Sequence, residues 1–259
     1  MIILNGIKQL IRVNYEFVRD KFRHKRIYQN LDGRIKGLLR ERKVMNGPFK
    51  GLRYTGNETV CSAIFPKLIG SYEKEIQDEI LSFIQKKPPV IIDIGCAEGY
   101  YAVGLAKLLP ETKVVAADSS PIARSLCLKL AEHNGCNNVS VTGTVTAETL
   151  PNYPLKDALI ICDCEGFEKQ LFTSRNIDHF KNTCLIIETH DLVDLSISSY
   201  LEDLFKNTHH IRTIASIDDI QKVKYYCYPQ LEGLDPDERK VVLAESRPTI
   251  MEWLILTPK

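Results

Sequence analysis

A glycine-lined turn is the first segment of this chain whose residue types and spacing could do chemistry. Gly95 and Gly99 follow the apolar run 90–94 and precede a helical segment that begins at Tyr100. Glycine lets the backbone approach a ligand closely, and the free N–H groups of a helix N-terminus suit a carboxylate. Asp118 ends the next apolar run, where an acidic side chain can accept hydrogen bonds from two ribose hydroxyls. These positions predict a site for an adenosine-containing ligand.

The glycine spacing separates two classes of ligand. Dinucleotide-binding turns have the pattern G-x-G-x-x-G, whereas residues 93–99 have the pattern D-x-G-x-x-x-G, with Ala97 where a middle glycine often stands. The missing glycine triplet favours a ligand without a pyrophosphate.

A second group of polar residues follows the fourth and fifth apolar runs. Asp163 and Glu165 come after the fourth run, and Glu188, His190 and Asp191 come at or after the end of the fifth. Such positions converge on one edge of a parallel sheet, so we expect His190 to act as a general base, with Asp163 or Glu165 orienting it or binding the substrate. The alternatives are a histidine that caps the strand end and a divalent metal site. Carboxylates at a strand edge do not define a coordination geometry, so the sequence favours no metal.

Alternating buried strands and helices from residue 90 onward position these groups. The pattern predicts an α/β fold, a doubly wound, mostly parallel seven-stranded sheet with an N-terminal helical extension. Ser120, Pro121 and Asn134-Gly135 mark the start and end of the second helix of this region. The predicted strands are 90–94, 113–117, 139–142, 158–162, 184–188, 211–217 and 251–256.

The region 90–188 resembles a class I methyltransferase, with residues 93–99 as its first motif and 114–118 as its second. More narrowly, residues 161–168 (ICDCEGFE) resemble the D-x-E-G-x-E signature of the FkbM family, and residues 185–191 (LIIETHD) are similar to that family's next strand. The resemblance covers about the central 40% of the chain, and D-x-E-G-x-E is its most family-specific element.

The resemblance implies S-adenosyl-L-methionine as cofactor and O-methylation of a sugar, glycan or natural-product hydroxyl. It places the cofactor over Gly95 and Gly99, with its ribose on Asp118 and its adenine near Gly143 and Thr144. Many relatives have an acidic or amide group in that last loop, which this loop lacks. The predicted cofactor-binding residues are Asp93, Gly95, Cys96, Ala97, Gly99, Tyr100, Asp118, Ser119, Gly143, Thr144 and Asp163.

We predict a methyltransferase domain over residues 71–259, an N-terminal extension before it and a loop segment near its end. Residues 1–53 hold 14 Lys and Arg against 4 Asp and Glu, so this stretch is basic and the remainder is acidic. Residues 1–70 are expected to form a basic helical extension with a short strand at 49–54, and residues 1–45 to lie on a membrane interface, on the main domain or on a second subunit of a homodimer. Residues 218–248 are expected to form a lid or substrate loop.

Composition limits the location and the partners. The eight cysteines are scattered without C-x-x-C pairs, which is typical of a reducing compartment, and we expect a cytoplasmic protein. The expected partner is a small molecule or glycan, including lipid-linked or nucleotide-linked forms. The alternatives are an RNA methyltransferase that grips phosphates with residues 8–53 and a non-catalytic binding protein of the same fold. The acidic main domain and the absence of concentrated aromatic residues in the basic stretch disfavour nucleic acid.

Overall fold

The computed structural model describes residues 33–259 of the 259-residue chain. Helix α1 spans Gly33–Leu39, and the chain turns at residues 40–41. The helix predicted over 1–45 is therefore wrong for its last residues, where Lys43 and Arg53 form an isolated antiparallel bridge. The rest of that prediction, and most of the basic stretch proposed to meet a membrane, RNA or a second subunit, lies outside the described residues.

A seven-stranded sheet forms the centre of the molecule, with strand order β3-β2-β1-β4-β5-β7-β6. Strands β1 to β5 pair in parallel, and β7 runs antiparallel between β5 and β6. The predicted fold class is confirmed, and the first three strands have the predicted bounds. The strands are Val90–Ile94, Lys113–Ala117, Val139–Thr142, Leu159–Cys162, Cys184–Thr189, His209–Ala215 and Glu252–Pro258, labelled β1 to β7.

Helices cover both faces of the sheet. The predicted limits of helix α5 (Pro121–His133) are confirmed, because Ser120 is its N-cap, Pro121 its first residue and Asn134 its C-cap. The other helices are α2 (Ile64–Ile69), α3 (Gln77–Lys86), α4 (Tyr100–Leu108), α6 (Glu168–Leu171), α7 (Ile197–Phe205), α8 (Asp219–Tyr225) and α9 (Pro236–Leu243).

The segment before the sheet differs from its prediction. Residues 49–54 form a turn and one bridge rather than a strand, because backbone hydrogen bonds run from Gly51 to Val44 and from Val44 to Leu52. Phe49 is buried and packs edge-on against the ring of Tyr100. Most buried apolar residues between 39 and 69 belong to the same core cluster as α4. The division at residue 70 stays a prediction.

The segment 218–248 is folded and packed. It contains α8, α9 and a 3-10 turn at Pro229–Leu231, and Leu231, Leu234, Val242 and Leu243 join the main core. Within residues 33–259, no helix is both long enough and apolar enough to cross a bilayer. The cytoplasmic location stays a prediction.

Candidate functional site

A cavity of about 690 Å³ opens at the carboxyl ends of β1, β2, β4 and β5. This volume lies within the range of about 300–1,000 Å³ that is typical of ligand pockets. Gly99, Gly143 and His190 lie outside its wall. The other predicted site residues line it: Asp93, Gly95, Cys96, Ala97, Tyr100, Asp118, Ser119, Thr144, Asp163 and Glu165.

The two glycines of the turn are required by the protein's own packing. Gly95 has φ +83°, and a Cβ there would lie 1.6 Å from the carbonyl oxygen of Asp163. Gly99 has φ +97°, and a Cβ there would lie 2.8 Å from Sγ of Cys127. The missing side chain of Gly95 lets the loop after β4 lie against the turn after β1, and the expected access of a ligand to its backbone stays a prediction.

Asp118 presents its carboxylate at the cavity wall while it holds the turn in shape. Its Oδ2 accepts the backbone N–H of Ala97 at 3.0 Å, and its Oδ1 accepts that of Ser120 at 2.7 Å. Each carboxylate oxygen has a second lone pair, so both can still accept a hydroxyl. Burial raises the pKa of Asp118 above its ordinary value, and the two backbone donors oppose this shift.

Asp93 lies deeper and serves the helix that follows. Its Oδ2 accepts the N–H of Ala102 at 2.9 Å, which satisfies one of the free donors at the start of α4. Burial, opposed by that hydrogen bond, raises the pKa of Asp93 to about 7.

The loop after β3 contains an acidic residue that sequence reasoning missed. Thr144 to Glu148 line the cavity, so Glu148 supplies a carboxylate on the wall where an adenine-facing acid was expected and not found. It lies five residues beyond Gly143, which is why a search directly after the strand overlooked it.

Asp163, Glu165 and His190 come together after β4 and β5, as predicted, and the two acidic residues line the cavity. Nε2 of His190 lies 3.4 Å from Oδ1 of Asp163 and 3.9 Å from Oε2 of Glu165. Nδ1 of His190 contacts Oε1 of Glu168 at 2.7 Å, and Glu168 is fully buried. Oδ1 of Asp163 is buried and makes no hydrogen bond, so the approach of Nε2 to it is a close contact only. Glu168 is thus the residue that orients the imidazole.

The charges around His190 determine its protonation. Burial lowers the pKa of His190, but the hydrogen bond to Glu168 and the nearby carboxylates outweigh it and raise the pKa to about 10. Burial and the charge of Glu188 raise the pKa of Asp163 well above its ordinary value. With this pKa, His190 is protonated at neutral pH, which is not the state that a general base requires.

Two groups of buried charges border the cavity and were missed by sequence reasoning. Lys67 forms an ion pair with Glu98, and both side chains are 3% exposed. Arg247 contacts Glu73, Glu188 and Glu245 and lies over the ring of Trp253. No residue of the segment 218–248 lines this cavity, but Arg247 contacts Glu73 and Glu188, which do line it. The expected lid or substrate loop stays a prediction.

Acidic side chains dominate the charge of the cavity. Among the described residues that line it, Lys67 is the single Lys or Arg, and it is already paired with Glu98. The acidic residues on the wall are Glu73, Asp93, Asp118, Glu148, Asp163, Glu165 and Glu188. The site therefore suits a cationic or neutral ligand.

Comparison with solved structures found distant similarities. The chain is similar to precorrin-6Y C5,15-methyltransferase from Geobacter metallireducens GS-15, with 13% identity, coverage of 71% of this chain and 89% of that one, and a TM-score of 0.46. It is similar to the O-methyltransferase TomG from Streptomyces achromogenes in complex with SAM, with 12% identity, coverage of 74% and 83%, and a TM-score of 0.49. It is also similar to an rRNA methylase from Streptococcus thermophilus, with 14% identity, coverage of 71% and 97%, and a TM-score of 0.46. No family model and no curated protein matches the chain, so its function must be argued from its own residues.

Proposed function

We propose that this chain is an S-adenosyl-L-methionine-dependent O-methyltransferase that acts on a hydroxyl of a sugar, glycan or natural product. One observation carries the proposal. A single cavity at the carboxyl ends of the strands is lined both by Asp118 and by Asp163 and Glu165, whose carboxylates lie beside His190. A cofactor and an acceptor could therefore meet within it.

The cofactor end fits an adenosine-linked amino acid. Asp118 keeps two unused lone pairs for ribose hydroxyls, and Glu148 offers an acceptor for the adenine amino group. The cofactor carries a sulfonium cation, which the acidic wall favours by simple attraction. When bound, it would supply a methyl group already activated for transfer. The work left to the protein is to position an oxygen and exclude water.

The part of the cavity that Asp163 and Glu165 line supplies carboxylates that can accept a hydrogen bond from a hydroxyl group. Asp163 is a better acceptor than His190 for the proton of the hydroxyl, because the pKa of this carboxyl is raised and His190 is already protonated. Its side chain is 41% exposed, whereas that of His190 is 9% exposed. We therefore assign Asp163 to the acceptor hydroxyl and Glu168 to holding His190 beside Asp163.

The acidic wall also restricts the acceptor. A phosphate inside the cavity would face several carboxylates, which disfavours RNA at this site. A lipid-linked or nucleotide-linked glycan would have to keep its phosphates outside the cavity mouth. A neutral hydroxyl acceptor meets no such penalty.

Two measurements test the proposal. Calorimetry with S-adenosylhomocysteine should show one site per chain, and NADH should give no heat. A transfer screen with methyl-labelled cofactor against sugars, glycans and RNA should label a hydroxyl acceptor. With that acceptor, Asp163→Asn should lower kcat by about 100-fold or more while the affinity for S-adenosylhomocysteine stays within a few-fold. Binding of NADH instead, or labelling of RNA alone, would refute the proposal.

A further inference from the structure

We propose that Asp163, Glu165 and His190 form a binding site for one divalent cation. The inference rests on the proposed function, because it assigns the same end of the cavity a way to hold the acceptor oxygen. The three side chains each offer one donor atom, and these atoms lie within 4.8 Å of one another. The sequence favoured no metal because residue types alone gave no geometry, and the structure supplies that geometry.

Two of the three separations between the donor atoms are close to those that a small cation needs. Nε2 of His190 lies 3.4 Å from the Asp163 oxygen and 3.9 Å from the Glu165 oxygen. Around an octahedral ion with bonds of about 2.1 Å, neighbouring ligands lie about 3 Å apart and opposite ligands about 4.2 Å apart. Small side-chain movements would therefore bring all three donors onto one ion. One imidazole nitrogen with two carboxylates is a set that Mn²⁺ accepts.

A buried oxygen atom of Asp163 that makes no hydrogen bond points to a missing ligand. His190 is 7% exposed, and its Nε2 faces Oδ1 of Asp163, which is buried and makes no hydrogen bond. A buried carboxylate oxygen without a partner costs about 1–3 kcal/mol or more. A cation between Nε2 and Oδ1 would displace the proton from Nε2 of His190 and would give Oδ1 the partner that it lacks. It would also leave Oδ2 of Asp163 for the acceptor hydroxyl.

The other nitrogen of His190 is held as it is in known metal sites. Nδ1 contacts the buried Oε1 of Glu168 at 2.7 Å, and Oε1 also accepts the N–H of Gly166 at 3.2 Å. A carboxylate behind a metal-bound histidine fixes the ring and directs the other nitrogen at the ion. Glu168 is therefore a positioning residue for the cation site. The D-x-E-G-x-E segment thereby supplies two ligands and the residue that orients the third.

The net charge of the region supports the same occupant. Asp163 and Glu165 lie on a wall that also carries Glu188, whose carboxylate is already paired with Arg247. A divalent ion would place positive charge beside the carboxylates of Asp163 and Glu165 and would give the acceptor oxygen a positive centre to bind.

Titration of the full chain with MnCl₂ after removal of metals by EDTA tests the site. Loss of the free Mn²⁺ signal in electron paramagnetic resonance should report one ion per chain. Glu165→Gln and Asp163→Asn should weaken binding at least about 10-fold, and Glu168→Gln by about 10-fold through misorientation of His190. Glu148→Gln, which makes the same charge change elsewhere on the wall, should leave the affinity for Mn²⁺ unchanged. Equal affinity in all four variants, or no bound ion in the wild type, would overturn the site.

A second measurement on the unaltered protein guards against variants that do not fold. Pulsed resonance of bound Mn²⁺ should show coupling to an imidazole ¹⁴N, and its absence would remove His190 from the ligand set. Calorimetry with S-adenosylhomocysteine in EDTA separates the two proposals. Cofactor binding and metal-independent transfer without any Mn²⁺ site would refute only the cation. Mn²⁺ binding with no methylated hydroxyl acceptor would refute only the proposed function.

Discussion

Replacing Gly95 with alanine separates a steric requirement of the fold from a requirement of the ligand. The new Cβ would lie 1.6 Å from the Asp163 carbonyl oxygen, so the two loops must part by at least about 1.4 Å to reach 3.0 Å. Gly135→Ala is the matched control, because Gly135 has φ +68° but no atom within 4 Å of its Cβ position. The left-handed backbone costs each variant about 1–2 kcal/mol of unfolding free energy. Overpacking at Gly95 should add about 1–3 kcal/mol.

Urea denaturation of both variants measures the difference. The separation of the loops would also disturb the hydrogen bond from the Asp163 N–H to the Ile94 carbonyl, which is 2.9 Å long. We expect Gly95→Ala to lose clearly more stability than Gly135→Ala, and to bind S-adenosylhomocysteine more weakly. If the two variants unfold at the same urea concentration and only ligand binding differs, the glycine serves the ligand and the steric explanation is wrong.

Three further predictions follow from single contacts. Asp118→Asn should weaken S-adenosylhomocysteine binding about 10- to 100-fold in calorimetry, because charge-assisted hydrogen bonds contribute about 1.5–3 kcal/mol each. An unchanged affinity would remove Asp118 from the cofactor site. Lys67→Met should lower the unfolding free energy by about 3–5 kcal/mol in the same urea assay, because it leaves Glu98 buried without Lys67. The double variant Lys67→Met with Glu98→Gln should recover most of that loss. Because burial raises the Asp93 pKa from 3.8 to about 7, the folded chain holds this proton longer than the unfolded chain. The wild type should therefore lose stability relative to Asp93→Asn as the pH rises from about 4 to about 7, and parallel pH profiles would contradict this.

Much of the fold could be predicted because the central strands are buried on both faces. Strand β1 is apolar apart from Asp93 and all of its residues are buried, so a plain apolar run marks its bounds. Helix α5 was equally clear, since its capping serine and the proline after it are local signals. Helix α2 was missed because it is six residues long and fully buried, with no polar face to reveal a helical period.

Only those residues of the candidate site that directly follow a strand in the sequence could be predicted. The acidic residues after β4 and the histidine after β5 were found because both follow apolar runs. The pairing of Lys67 with Glu98 spans 31 positions, and that of Arg247 with Glu73 spans 174, so no local pattern relates them. The packing requirement at Gly95 could not be predicted for the same reason, because the atom that excludes a side chain there belongs to Asp163, in another loop.

The surplus of carboxylates on the cavity wall has a consequence for turnover. Methyl transfer turns a sulfonium into a neutral thioether, so the spent cofactor leaves with one positive charge fewer than the fresh one brings. Attraction to Asp118, Glu148 and their neighbours therefore weakens once the methyl group has gone. We expect exchange of old cofactor for new to be driven partly by this change in charge, and to slow as added salt screens the wall.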